Sequence, residues 1–174
     1  MRNTVFARSL LAGGAAALAI LLMAGCVGYQ VGTTLPRHLR SVSVESFKNE
    51  CGEPLLDAEL KRAVLQEIQR EGQLRLLDRE SAAIHLSGTI TGYSLEPMRY
   101  DQNRPKTVSE YRSLVTVRIR AVEARTGKVI VEQKVVGDAT LSAAGDLTTL
   151  RRLALPEASR QAAHEIVNAV VSAW

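Results

Sequence analysis

The chain has 174 residues, 46% of them hydrophobic and 23% charged, with a formal net charge of +4. That is ordinary globular composition, and it excludes collagen-like, disordered and multi-span membrane proteins. The weak, dispersed positive charge and the scarcity of aromatics (2 Phe, 1 Trp) argue against a nucleic-acid partner. Two cysteines, one of them at the end of an apolar run, build neither a disulfide scaffold nor a Cys-rich zinc site.

Residues 1–25 have the three-part layout of an export signal. Arg2 and Arg8 form a basic start, an aliphatic run follows from Leu10 to Leu22, and Ala24 and Gly25 are small. The run falls short of the ~20 residues of a spanning helix, and Gly13-Gly14 interrupts it. Cys26 directly after Met23-Ala24-Gly25 resembles the bacterial lipobox, with Met in place of the usual Leu. That resemblance implies lipid attachment at Cys26 and anchoring by several acyl chains. An uncleaved anchor helix with an incidental cysteine is the alternative. Residue 27 is Val rather than the Asp that retains such proteins at the inner membrane. The expected location is therefore the outer membrane, with the body in the periplasm. With Cys26 acylated, Cys51 has no intrachain partner and is read as a small residue in a turn.

Residues 26–40 read as a lipidated N-terminal tether and 41–174 as one α/β domain. The alternation of Val42 and Val44 marks a first strand, and residues 49–54 have turn chemistry. Leu56, Leu60, Val64 and Ile68, with Ala63 beside them, give an amphipathic helix over 55–71, closed by Gly72 as a left-handed cap. A second strand buries Ile84, Leu86 and Ile90, and Gly88 and Gly92 predict a bulge or a close backbone approach. Residues 97–107 form a polar loop. A third strand, 110–124, turns Val115, Val117, Ile119 and Ala121 inward, and a fourth, 129–141, does the same with Val131, Val135 and Ala139. These parities demand a hairpin with an even register sum. A three-residue loop, Arg125-Thr126-Gly127, sets Ala124 opposite Lys128 and Arg120 opposite Glu132. Residues 145–152 read as a second polar connection, and Pro156 as the first residue of a final helix with Ala158, Ala162, Ile166, Val170 and Ala173 on one face. The expected fold is β-α-β-β-β-α: a four-stranded mixed sheet with two helices packed on one face.

No motif for catalysis, cofactor or metal binding is present, and His38, His85 and His164 fall in different elements. A lipid-anchored enzyme with an unfamiliar site is the least favoured reading. The lipobox is followed by Gly28-Tyr29, Val42-x-Val44-x-x-Phe47-x-Asn49, Leu86-x-Gly88-x-Ile90, Thr107-x-x-Glu110-Tyr111 and the Thr126-Gly127-Lys128 hairpin. This ordered set, from Cys26 to Trp174, resembles the LPS-assembly lipoproteins of the LptE family. Val27 departs from the family's habit of placing Gly and an aromatic immediately after the cysteine, and Cys51 stands where a small hydroxyl residue is more usual.

The resemblance implies a non-enzymatic protein that plugs and helps assemble an LptD-like outer-membrane β-barrel and contacts lipopolysaccharide on its way to the outer leaflet. It places a basic LPS-contact residue at Arg104, and Arg99 and Lys106 share that loop. Arg151 and Arg152 lie near, but not in register with, a second basic position. A polar barrel lumen suits the outward Ser87, Thr89, Thr91, Arg112, Arg118 and Arg120. The rival reading is a periplasm-facing lipoprotein that activates or scaffolds a cell-wall synthase or serves another secretion barrel.

Overall fold

Residues 35–144 and 146–173 are described in a computed structural model of the chain. The export segment, Cys26 and most of the tether lie outside the described residues. The last part of the expected tether is packed: a short 3-10 turn, Arg37–Leu39, follows Pro36, and Leu35 and Leu39 are both buried.

Over the described residues the architecture is a single α/β domain with two α-helices and a mixed sheet, of six strands rather than four. In chain order these are β1 (Ser41–Val44), β2 (Lys48–Asn49), α1 (Leu56–Glu71), β3 (Arg75–Leu76), β4 (Ile84–Tyr100), β5 (Val108–Glu123), β6 (Val129–Ser142) and α2 (Leu147–Val171). The main path is β3-β1-β4-β5-β6, with β2 also paired to β4. β1 runs parallel to both β3 and β4, and the three long strands form an antiparallel meander. The two added strands are two residues long, too short to show a period, and each falls where turn or connector chemistry was expected.

β1 and β2 behave as one interrupted strand along the edge of β4. Val44 pairs with Leu86 and Lys48 with Thr89, so one extra residue on the β1–β2 side is looped out. The break turns Phe47 into the core, and its ring lies against Gly88, where a Cβ would come within 2.8 Å of the ring edge. Gly88 thus supplies the expected close approach, and a register shift between Ile90 and Gly92 supplies the bulge.

Helix α1 follows its four-residue spacing: Leu56, Leu60, Ala63, Val64 and Ile68 are buried, and Gly72 at φ +78° donates its N–H to the Ile68 carbonyl. Burying each of the large side chains stabilises the fold by about 1.5–3 kcal/mol. Val115, Val117, Ile119 and Ala121 of β5 are fully buried, as their alternation predicts. The β5–β6 register keeps an even sum from Glu110↔Ser142 to Ala121↔Val131, with Arg120 opposite Glu132 as expected. At the turn it departs. A shift after Ala121 pairs Val122 with Val129, and Glu123 N–H donates to the Lys128 carbonyl, so Ala124 does not face Lys128. Gly127 does take the left-handed conformation, at φ +70°.

The final helix starts nine residues earlier than Pro156 suggests. Asp146 caps it, accepting from the Thr148 and Thr149 backbone N–H groups at 2.9 and 3.0 Å, so 147–152 is helix rather than connection. Pro156 therefore sits inside the helix, where it cannot donate to the Arg152 carbonyl. Ala158, Ala162, Ile166 and Val170 are buried, whereas Ala173 is exposed beyond the helix end. Both helices cover the same face of the sheet and share one core with it. The other face is bare, and it carries the exposed ion pairs Arg120–Glu132 (3.4 Å) and Arg112–Asp138 (3.0 Å).

Candidate functional site

The expected 97–107 loop is mostly strand. β4 continues to Tyr100, and the connection to β5 shrinks to residues 101–107. Pairing carries the hairpin out to its end, since Arg99 faces Glu110 and Tyr100 faces Val108. This is a paired, two-stranded tip rather than the polar loop expected over 97–107.

Asp101 organises the turn. Its carboxylate accepts from the Asn103 N–H at 2.8 Å and the Arg104 N–H at 3.2 Å. Its N–H donates to the Thr107 carbonyl, and the Thr107 N–H donates to the Arg104 carbonyl, each at 2.8 Å. The same carboxylate holds the Arg104 guanidinium at 3.2 Å. Arg99 bonds Glu110 across the strands at 3.1 Å. Among the described residues Lys106 has no acidic partner, and all three cations are exposed. The tip therefore presents one unpaired and two loosely paired cations, beside exposed Met98 and Tyr100. An exposed ion pair contributes about 0–1 kcal/mol, so an incoming phosphate can recruit the Arg104 guanidinium at little cost.

Arg151 and Arg152 are not part of this group. They occupy the first turns of α2 and line a cleft of about 320 Å³ with Glu53, Pro54, Leu55, Thr148 and Leu155. None of the three tip cations lines that cleft. Leu55 is unusual there, in the left-handed region at φ 63° and largely exposed.

Other polar groups hold structure. Asn49 Oδ1 accepts from the Cys51 thiol and from the backbone N–H groups of Cys51 and Gly52, all at 3.2 Å, which makes Cys51 part of a turn. His85 Nδ1 lies 2.8 Å from the Ser43 hydroxyl, and His164 Nδ1 lies 2.9 Å from Glu67. Glu67 also takes a bidentate bond from Arg70, which with His164 holds its carboxyl below the usual value despite partial burial. Among the described residues no cluster of His, Cys, Asp or Glu could hold a metal ion, and no helix is long and apolar enough to cross a membrane.

Lys48 and Lys134, which no sequence pattern connects, join Arg118 on the bare face through the register of four strands. Two-residue β2 has no pattern of its own, so only the pairing reveals that Lys48 belongs there.

The family model described as LptE, lipopolysaccharide-assembly, matches residues 39–170. The chain belongs to the LptE family. That span holds all the described strands and nearly the whole of α2, so LPS assembly is the setting in which this LptE-family chain is to be understood. Solved structures share the fold at low identity. Protein XCC0632 from Xanthomonas campestris is 11% identical with a TM-score of 0.53, over 80% of this chain and 90% of its own. The hypothetical protein CT253 from Chlamydia trachomatis is 14% identical with a TM-score of 0.52, over 75% and 96%. A weaker likeness, at 17% identity and a TM-score of 0.47 over 75% and 94%, is to rare lipoprotein B from Shewanella oneidensis, and the fold assignment does not rest on it. No curated protein matches this LptE-family chain.

Proposed function

We propose that this LptE-family chain is an outer-membrane lipoprotein, exported by residues 1–25 and anchored through an acylated Cys26. Its body plugs and helps assemble an LptD-like β-barrel, and the β4–β5 tip contacts LPS in transit. The family match over 39–170 carries this reading. What the chain's own chemistry adds is the tip: a paired hairpin ending in a turn that Asp101 builds, with Arg104 and Lys106 exposed on it.

Arg104 is the leading contact. A guanidinium offers a planar fork of donors that matches two phosphate oxygens, and such charge-assisted bonds are stronger than neutral ones. Asp101 keeps the side chain near the turn until phosphate competes for it. Lys106 adds an unpaired charge, and Arg99 stands at the strand end. Arg151 and Arg152 are contacts of second rank, because they face a different cleft.

The chemistry is binding and hand-over, with no bond made or broken by this chain. Purification of the full-length protein from detergent-solubilised outer membrane tests the partner. Stoichiometric recovery of an LptD-like barrel supports the reading. Recovery of a cell-wall synthase without any barrel overturns it.

A further inference from the structure

The bare face of the sheet has an excess of cations concentrated in one cross-strand row. Lys48 on β2 pairs with Thr89 on β4, Thr89 with Arg118 on β5, and Arg118 with Lys134 on β6. Four adjacent strands thus place three cations on a line about 14 Å long, at the ~4.8 Å spacing of strands. Lys48, Arg118 and Lys134 are exposed, and none has an acidic partner among the described residues. The nearby acids are already engaged: Glu132 with Arg120, Asp138 with Arg112, and Glu45 with Arg79.

Arg118 directly opposite Lys134 is a like-charge pair, which destabilises a sheet relative to the opposite-charge pairs found on the rest of this face. A local rule broken on an otherwise consistent surface points to use by a partner. A shallow cleft of about 340 Å³ borders the row, lined by Lys48, Ser87, Thr89, Arg118, Arg120 and Glu132 among others.

We infer that this bare face docks an acidic protein surface, with carboxylates set against the Lys48–Arg118–Lys134 row. The inference rests on the proposed barrel partnership and specifies the face that meets it. The row is too long for one phosphate, which could bridge only Arg118 and Lys134. It also continues into apolar groups: Val136 is the next outward residue on β6, at 43% exposure, and Met98 contacts Thr140 further along the same face. Cations beside exposed apolar side chains suit a protein surface of complementary charge.

The test is photo-crosslinking in the outer membrane of cells making the full-length chain, with benzoylphenylalanine at Val136, at Gln161 on the exposed side of α2, or at Asn103 in the tip. The expected result is a barrel adduct at Val136, mapped by mass spectrometry to a segment containing Asp or Glu, and stronger than any at Gln161. Lys134→Glu should cut that adduct at least tenfold while leaving the melting temperature equal or higher, because the new carboxylate pairs with Arg118. An adduct that survives both Lys134→Glu and Arg118→Glu overturns the inference. So does a barrel adduct at Gln161 with Val136 silent, which leaves the barrel partnership standing. LPS rather than protein at Val136 also overturns it. No barrel adduct at any of the three positions refutes the partnership itself, and the docking face with it.

Discussion

Gly137 on β6 lies so close beneath α2 that a Cβ there would stand 2.2 Å from the Ala162 nitrogen and 2.4 Å from the Ala158 carbonyl oxygen. Helix and sheet meet backbone to backbone, which only a glycine facing two alanines allows. Gly137→Ala should cost at least about 1–3 kcal/mol, because the overpacked atoms are main chain and cannot rotate away. Gly127→Ala meets open space and strains only a positive φ, so it should cost about 1–2 kcal/mol, less than Gly137→Ala. Thermal melts of the two full-length variants check the order. A domain of this size loses about 2–4 °C per kcal/mol.

Leu60 is completely buried on the inner face of α1. Leu60→Asp places an unpaired carboxylate in the core at a cost of several kcal/mol, so the body should fail to fold. Protease resistance equal to the parent would refute the packing of α1.

Glu67 links the helices, accepting from Arg70 within α1 and meeting His164 on α2. Its folded value lies below the ordinary 4.5, chiefly through the Arg70 bond, so its stabilisation is present in full above that range. It is lost as pH falls through the lower folded value. Glu67→Gln should therefore melt below the parent at pH 6 and approach it as the pH falls below 4.5 and through the lower folded value. Melting curves across that range, at low and high salt, show whether the gap closes.

Lipid attachment makes its own prediction. Cys26→Ser should abolish labelling by radioactive palmitate and leave the precursor unprocessed. Val27→Asp should shift a good part of the protein to the inner-membrane fraction in a host that sorts on that residue. Labelling that persists in Cys26→Ser would mean that Cys26 does not carry the lipid.

The elements legible in the sequence are those with one face buried along their whole length. Leu56, Leu60, Val64 and Ile68 repeat the helical period, and Val115 to Ala121 alternate without exception, so the sequence alone specifies α1 and β5. Lys48–Asn49 and Arg75–Leu76 pair for two residues each, and no period exists at that length. Pro156 misplaced the start of α2 because a first-turn proline is the commoner case. The stronger signal lay in Asp146, whose carboxylate and the following threonines build the cap. Of the candidate cations, Arg99, Arg104 and Lys106 share the tip because one hairpin holds them. The separation of Arg151 and Arg152 depends on how α2 crosses the sheet, which adjacency in sequence does not encode.

LPS affinity of the Arg104→Glu variant decides whether the tip reads LPS phosphate. Removal of one charge-assisted phosphate bond costs about 1.5–3 kcal/mol, or roughly ten- to a hundredfold in affinity, and reversal adds repulsion. Lys128→Glu is the control, an exposed lysine at the opposite hairpin with no acidic partner among the described residues. Arg70 would serve poorly, since its guanidinium holds Glu67. Binding of the full-length variants to immobilised LPS at two salt concentrations should show at least a tenfold loss for Arg104→Glu alone, with melting temperature unchanged. Equal losses in both variants, or none in either, would contradict a tip that reads LPS phosphate.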